Sequence, residues 1–313
     1  MSWKPLFVVG VGRSGTSLLH SALAAHPGIA ALPETAILRE QILSGRLRAA
    51  FAKEGVDGVV RSLRSAPRLE RTGVMVDTLV QAGLDEHARF SATRLYEGLL
   101  QTRVSTPEIA WVLDKDPRLI ERIPQIASRW PEARVIHIIR DPRDVIASKK
   151  LAAWSRKKSS ALHALIGMGQ LALGRLSGPR ALGTRYLELR YETLLAEPAR
   201  TLAAACAFLD LPYEPGILNF AQEARALVAD DELSWKKETL GPLLAQNAGK
   251  WRTSLRPWEV AMADYTSVPL LTDLGYAPAH ERSWFGPVGS ALRGVSRLSA
   301  RLALGLSRAG EPA

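Results

Sequence analysis

The apolar run Leu6-Phe7-Val8-Val9 stops at Gly10 and Gly12, and beyond Ser14-Gly15-Thr16-Ser17 the apolar positions Leu18, Leu19, Ala22 and Leu23 recur at helical spacing. This pattern predicts a buried strand, a tight loop and a helix. His26-Pro27-Gly28 ends the helix, Ile29-Ala30-Ala31-Leu32 predicts a short second strand, and Pro33-Glu34-Thr35 follows. From about 36 to 105, helical periodicity alternates with the breakers Gly55, Gly58, Pro67 and Gly83, which predicts a helical cap opened by a basic helix at Ile37, Leu38, Gln41 and Ile42.

Beyond the cap, strands and helices alternate. Ile109 to Leu113 predicts a strand ending in Asp114-Lys115-Asp116-Pro117, with helix to about Trp130. Arg134 to Ile139 predicts another, ending in Arg140-Asp141-Pro142-Arg143-Asp144 and a further helix. Such alternation implies right-handed crossovers and a parallel sheet, whose ligands sit beyond the carboxyl ends of the strands. The loop from Gly10 to Ser17, Glu34, Lys115 and Arg140 all follow strand ends, so one cleft could collect them. The pattern further predicts a helix over 155–176, a last strand over 185–192, and an amphipathic helix over 198–209 with an apolar Leu202, Cys206, Leu209 face. Residues 230–256 read as a polar, basic loop with helical pieces, and 288–308 as a basic amphipathic helix carrying Arg293, Arg297 and Arg301. The fold class expected is α/β: a P-loop-type parallel sheet flanked by helices, with a helical cap and a basic C-terminal helix. Residues 1–282 form the main domain and 283–313 the tail.

Composition narrows the choices. A chain of 313 residues, 47% hydrophobic and 23% charged, can bury a full core. It opens without a charged leader and apolar h-region, and its most apolar helical stretch, 161–173, is short and carries His163 and Gln170. A cytoplasmic protein is expected. The single cysteine, Cys206, lies in an apolar segment and reads as a core thiol, and the six histidines show no pair at ligand spacing, so no metal is expected. The net charge of +10 points to anionic partners. Nucleic acid is disfavoured because no basic stripe with interleaved aromatics occurs; a polyphosphorylated small molecule suits the charge equally well. The C-terminal basic helix is a candidate for peripheral contact with an acidic membrane surface, against the commoner role of a helix packed on the domain.

The opening loop carries the chemistry. Glycines let the backbone approach an anion, amides at a helix start point at it, and the helix dipole adds positive potential. Gly10, Gly15 and Ser17 fit the pattern G-x-x-x-x-G-K-[ST], but Thr16 stands where the triphosphate-gripping lysine belongs. An ATPase or GTPase is therefore disfavoured, and Arg13 is the cation left on the loop, able to fork onto a tetrahedral anion. Taken as residues, the other candidates each have a plainer role. Glu34 could be a carboxylate favoured at a helix start, Lys115 an ion-pair partner of its flanking aspartates, Arg140 a partner of Asp141 or Asp144, and Tyr191 a packing residue. His137 reads as a core residue, and Trp251 and Trp258 as loop anchors.

Two segments resemble the sulfotransferases that use 3′-phosphoadenosine 5′-phosphosulfate (PAPS). Arg13-Ser14-Gly15-Thr16-Ser17-Leu18 is similar to the loop that binds the 5′-phosphosulfate, and Val135 to Asp144 with Ser148 to the segment that binds the 3′-phosphate. The nearest resemblance is to the tyrosylprotein type. His26-Pro27 with Pro33-Glu34-Thr35 matches the stretch holding its catalytic glutamate, Lys115-Asp116-Pro117 its transition-state lysine, Tyr191 a donor-contacting tyrosine, and Lys250 in Gly249-Lys250-Trp251 a late basic donor contact. The chain departs from that type at Ala152, where a further arginine is usual. The resemblance implies transfer of a sulfuryl group from PAPS, without a metal, to a hydroxyl or phenol on a small molecule, sugar, lipid or peptide. Glu34 would be the base, Lys115 and Arg13 would complete the catalytic set, and Ser14, Gly15, Thr16, Ser17, Arg140, Ser148, Tyr191 and Lys250 would hold the donor. Two alternatives stay open: a P-loop-derived nucleotide-binding protein or kinase, and a non-catalytic polyanion binder.

Overall fold

The computed structural model describes residues 3–152, 159–229, 232, 245–267 and 270–279. Strand β1 (Lys4–Gly10) is buried along all but its first residue, as an apolar run flanked on both faces must be. It occupies the centre of a five-stranded sheet with β2 (Ile29–Ala31), β3 (Trp111–Lys115), β4 (Arg134–Ile139) and β5 (Tyr186–Arg190), in the order β2-β3-β1-β4-β5. Every pairing is parallel; Phe7 stands opposite Asp114 on one side and Val135 on the other.

Alternation along the strands divides the core into two faces. Leu6, Val8, Trp111 and Leu113 pack against α1 (Thr16–Ala24), α8 (Tyr191–Ala196) and α9 (Pro198–Phe208), a cluster that includes the buried Cys206. Phe7, Val9, Val112 and Val135 face the other way, into one cluster with the 36–105 region. That region is helical, as its periodicity predicts: α2 (Arg46–Arg64), α3 (Val76–Gly83) and α4 (Ala92–Gln101), joined by short turns. Its side chains share the sheet's own core, so the cap is built onto the sheet. Beyond β3 come α5 (Ile123–Arg129), α6 (Pro142–Leu151) and α7 (Ser160–Leu182), and later α10 (Ala221–Leu227), α11 (Trp251–Ser254), α12 (Pro257–Ser267) and α13 (Leu270–Asp273). Among the described residues no helix is long and apolar enough to cross a membrane.

Several boundaries differ from those the sequence predicts. Strand β3 begins at Trp111 and runs through Lys115, because pairing with β1 continues to Val8, so Lys115 is the last strand residue rather than part of the following loop. The expected helix to Trp130 is split into a 3-10 turn (Pro117–Glu121) and α5, since Pro117 and Pro124 each supply a restart lacking an N–H. The basic helix expected at Ile37 is a single π turn (Leu38–Ile42), cut short where Gly45 turns left-handed at φ 79°. Helix α7 runs past Leu176 and through Pro179 to Leu182, and Tyr191 opens α8 rather than closing β5. Trp251 is buried, as an anchor should be, but Trp258 is 54% exposed. The expected helix at 288–308 and the 282/283 boundary lie outside the described residues.

Candidate active site

The loop after β1 is shaped by two left-handed residues, Arg13 at φ 80° and Gly15 at φ 99°. Ser14 N donates to Val11 O at 2.9 Å, and Leu19 N donates to Gly15 O at 3.1 Å as α1 begins. Gly15 is required on two counts. Its backbone conformation penalises a side chain, and a Cβ there would lie 2.3 Å from Cδ2 of the Tyr191 ring. Tyr191 is thus the floor under the loop.

On the β4 side, the Arg140 guanidinium lies 4.3 Å above the Tyr191 ring. Its Nη1 donates to Arg13 O at 3.2 Å and its Nη2 to Asn247 O at 2.6 Å. Asp144, 3.9 Å from Arg140, accepts hydrogen bonds from Gly249 N at 2.7 Å and Trp251 N at 2.9 Å. The late segment is thereby pulled onto the start of α6, with Lys250 between those two amides, half-buried at the head of α11. Arg143 stacks on Trp251 at 4.0 Å and pairs with Asp141 and Asp264. Ser148, one face of α6 further on, accepts from Arg13 Nε at 3.0 Å. The sequence pairs Ser148 with Arg140; the structure gathers both around Arg13. Ser14 Oγ and Arg140 Nε are buried and carry no hydrogen-bond partner, an arrangement that suits an anion-handling site.

On the β3 side, Lys115 is 2% exposed. Its ammonium pairs with the Glu34 carboxylate and donates to Ser17 Oγ at 3.2 Å, so candidate base, candidate cation and loop hydroxyl meet at one point. Glu34, 20% exposed, reaches solvent where Lys115 does not. Its own carbonyl accepts from Arg71 Nη1 at 3.2 Å, and Arg71 Nη2 donates to Leu227 O at 2.7 Å. Arg39 Nε donates to Asp116 at 2.7 Å. Beneath the cap, Tyr96 Oη donates to Asp114 Oδ2 at 2.6 Å. Burial pushes the Asp114 carboxyl up to about 7, with the Tyr96 hydrogen bond pulling the other way. Burial also raises Asp116, opposed by Arg39.

Of the residues expected at the site, Lys115, Glu34, Arg140, Ser148 and Tyr191 thus meet the loop or its Arg13, while Lys250 lies on the segment that Asp144 draws in beside Arg140. Those missed were Asp114, Tyr96, Arg39, Asp116, Arg71 and Asn247. The acidic residues flanking Lys115 were visible as a charge cluster, but Tyr96, Arg39 and Arg71 come from the cap, where no local pattern marks a partner on the sheet.

A glycine loop without a lysine of its own, an arginine pair on one side and a lysine–carboxylate pair on the other suit group transfer from an anionic donor. The profile described as Sulfotransferase family matches residues 5–215, and the chain belongs to that family. It is similar to Protein-tyrosine sulfotransferase 1 of Danio rerio, 23% identical over 280 residues that cover 87% of this chain and 72% of the relative. Protein-tyrosine sulfotransferase of Drosophila melanogaster is also 23% identical over 280 residues, covering 87% of this chain and 52% of the relative. Nodulation protein NoeE of Sinorhizobium fredii is 25% identical over 296 residues, covering 86% and 65%. In fold the chain resembles the sulfotransferase domain of the Synechococcus PCC 7002 olefin synthase (TM-score 0.60, 22% identity, 88% of this chain and 96% of that one). The sulfotransferase domain of the curacin biosynthetic pathway is similar too (TM-score 0.56, 21% identity, 88% and 98%). The protein is a PAPS-dependent sulfotransferase similar to the tyrosylprotein type; the kinase alternative is not favoured.

Proposed function

We propose that Glu34 is the general base, that Lys115 and Arg13 stabilise the charge that develops during transfer, and that Arg140, Ser148, Tyr191 and Lys250 hold the nucleotide with the loop Ser14 to Ser17. The observation that carries this reading is the meeting of Lys115 with both Glu34 and Ser17, which joins the base to the donor loop. PAPS supplies the sulfuryl group. The acceptor oxygen forms the new S–O bond as the donor's bridging S–O bond breaks; the acceptor proton passes to Glu34, and the electron pair leaves on the phosphate oxygen. Charge in such a loose transition state spreads over the moving group and the bridging oxygen, so fixed cations and amides supply most of the stabilisation. In this reading Arg13, Lys115, the loop amides and Thr16 supply that stabilisation.

For the acceptor, we place a phenol first, on a peptide tyrosine, because curated relatives of this chain carry that chemistry in their names. Small-molecule, sugar and lipid hydroxyls are the other classes the same machinery would serve. A cytoplasmic location, and a membrane contact through the basic 288–308 stretch, belong to the same reading; the lone buried Cys206 needs no oxidising compartment.

The test is Glu34→Gln, assayed with labelled PAPS and a tyrosine peptide panel beside small phenols and sugars. Turnover is expected to fall by about 10²- to 10⁴-fold with binding of 3′,5′-adenosine bisphosphate preserved. Undiminished turnover would remove Glu34 from the role.

A further inference from the structure

Asp114 is a buried carboxyl that the proposed chemistry leaves unused. It sits on β3 beside Lys115, on the opposite face of the sheet, beneath the cap. One oxygen accepts the Tyr96 hydroxyl at 2.6 Å; the other is buried without a partner. Tyr96 is itself fully buried, its ring 5.3 Å from that of Trp130, which in turn lies 6.0 Å from Phe7. The cap therefore touches the sheet end through a polar contact enclosed by aromatic rings. The charged and titratable groups that act on Asp114 are Tyr96 from α4, Lys115 from β3, Asp116 directly after it, and Glu34 from the loop after β2, with Arg39 paired to Asp116. The carboxylates of Glu34 and Asp116 thus gather with Asp114 about Lys115 and Arg39.

An unpaired oxygen on a buried carboxyl is costly, and an apolar residue or an asparagine would pack there with less penalty. What a carboxyl adds is a negative field at the end of β3. We propose that Asp114, held by Tyr96 of the cap, is a positioning residue for sulfuryl transfer: its ionised form strengthens Glu34 as a base and so couples turnover to the seating of the cap. The inference rests on the reading of Glu34 as the base. Like charges oppose each other's ionisation, so a negative Asp114 makes Glu34 hold an incoming proton more firmly. Since the Asp114 carboxyl is pushed up to about 7, this reinforcement switches on near neutrality.

The rate of transfer is then expected to show an upper step near pH 7 that belongs to Asp114. In Asp114→Asn the upper step disappears and the plateau rate drops by up to about tenfold, while affinity for 3′,5′-adenosine bisphosphate stays as in the wild type. In Tyr96→Phe the hydrogen bond that favours the ionised carboxyl is gone, so the upper step moves to higher pH. Aspartate carboxyl carbon-13 NMR of the full chain follows the same titration without turnover and keeps the question open to measurement should Asp114→Asn fail to fold. An upper step that persists in Asp114→Asn, or stays in place in Tyr96→Phe, overturns the inference. Full activity in Glu34→Gln would instead overturn the base assignment, and the carbon-13 titration and its displacement in Tyr96→Phe would still be read.

Discussion

Gly15→Ala tests whether the floor beneath the loop is as close as the structure has it. Alanine at φ 99° pays for a left-handed backbone, roughly 1–2 kcal/mol for an L residue. Its Cβ would also lie 2.3 and 2.7 Å from two carbons of the Tyr191 ring and 3.3 Å from Ile138 Cδ1, and overpacking of this kind costs about 1–3 kcal/mol. The two sum to about 2–5 kcal/mol of destabilisation. The second part alone depends on the ring. Tyr191→Ala destabilises in its own right, by about 3–5 kcal/mol for a buried aromatic that also supports Arg140, but it removes the obstacle. Urea unfolding of wild type, both single variants and the double variant should therefore show the double variant less destabilised than the sum of the singles, by about 1–3 kcal/mol. Calorimetry on the same four proteins should show that Gly15→Ala weakens 3′,5′-adenosine bisphosphate. Additivity within about 0.5 kcal/mol would mean that the glycine is not there to admit Tyr191.

Other outcomes follow from single side chains. Arg140→Ala should weaken 3′,5′-adenosine bisphosphate by about 10- to 100-fold, the loss of a charge-assisted contact, and leave ADP nearly unchanged; an equal loss for both nucleotides would take the 3′-phosphate away from Arg140. His137 is fully buried against Tyr186 and its pKa is pushed down to about 3 by burial, so the native chain stays neutral there while the unfolded chain takes up a proton. Its contribution to stability therefore falls as pH drops from about 6.5 towards 3, at up to about 1.4 kcal/mol per pH unit, and urea midpoints of His137→Gln should depend less steeply on pH than those of the wild type. A variant with the same slope as the wild type would contradict this. Asp114 acts with the opposite sign: its raised pKa makes stability fall as pH rises from about 4 to about 7, so Asp114→Asn should gain stability relative to wild type across that range.

The sheet was readable because its strands are buried on both faces and announce themselves as unbroken apolar runs, and because each ends in a conspicuous polar cluster. The loop was readable because glycine and hydroxyl spacing is local. Where pairing decides an end, as at Lys115, a window of residues sees only the apolar core of the strand and stops at Leu113. The missing contacts have a common cause. Tyr96 to Asp114, Arg39 to Asp116 and Arg71 to the Glu34 carbonyl all join a cap helix or turn to the sheet across a wide sequence gap, and nothing in the periodicity of either partner refers to the other. Arg13 meeting Ser148 is of the same kind, with the further twist that the guanidinium rather than a loop amide makes the link.

The placement of β3, β1 and β4 side by side has a consequence for what the enzyme can accept. Neighbouring strands lie about 4.8 Å apart, so the backbone ends of β3 and β4, which lead into Lys115 and Arg140, are separated by roughly two such steps, near 10 Å, with the loop after β1 between them. That backbone interval is fixed by the hydrogen-bonded ladder, so side-chain length and rotamer adjust the reach of the charges about a constant base. The sheet edge works as a ruler, admitting donors whose terminal charges match its graduation.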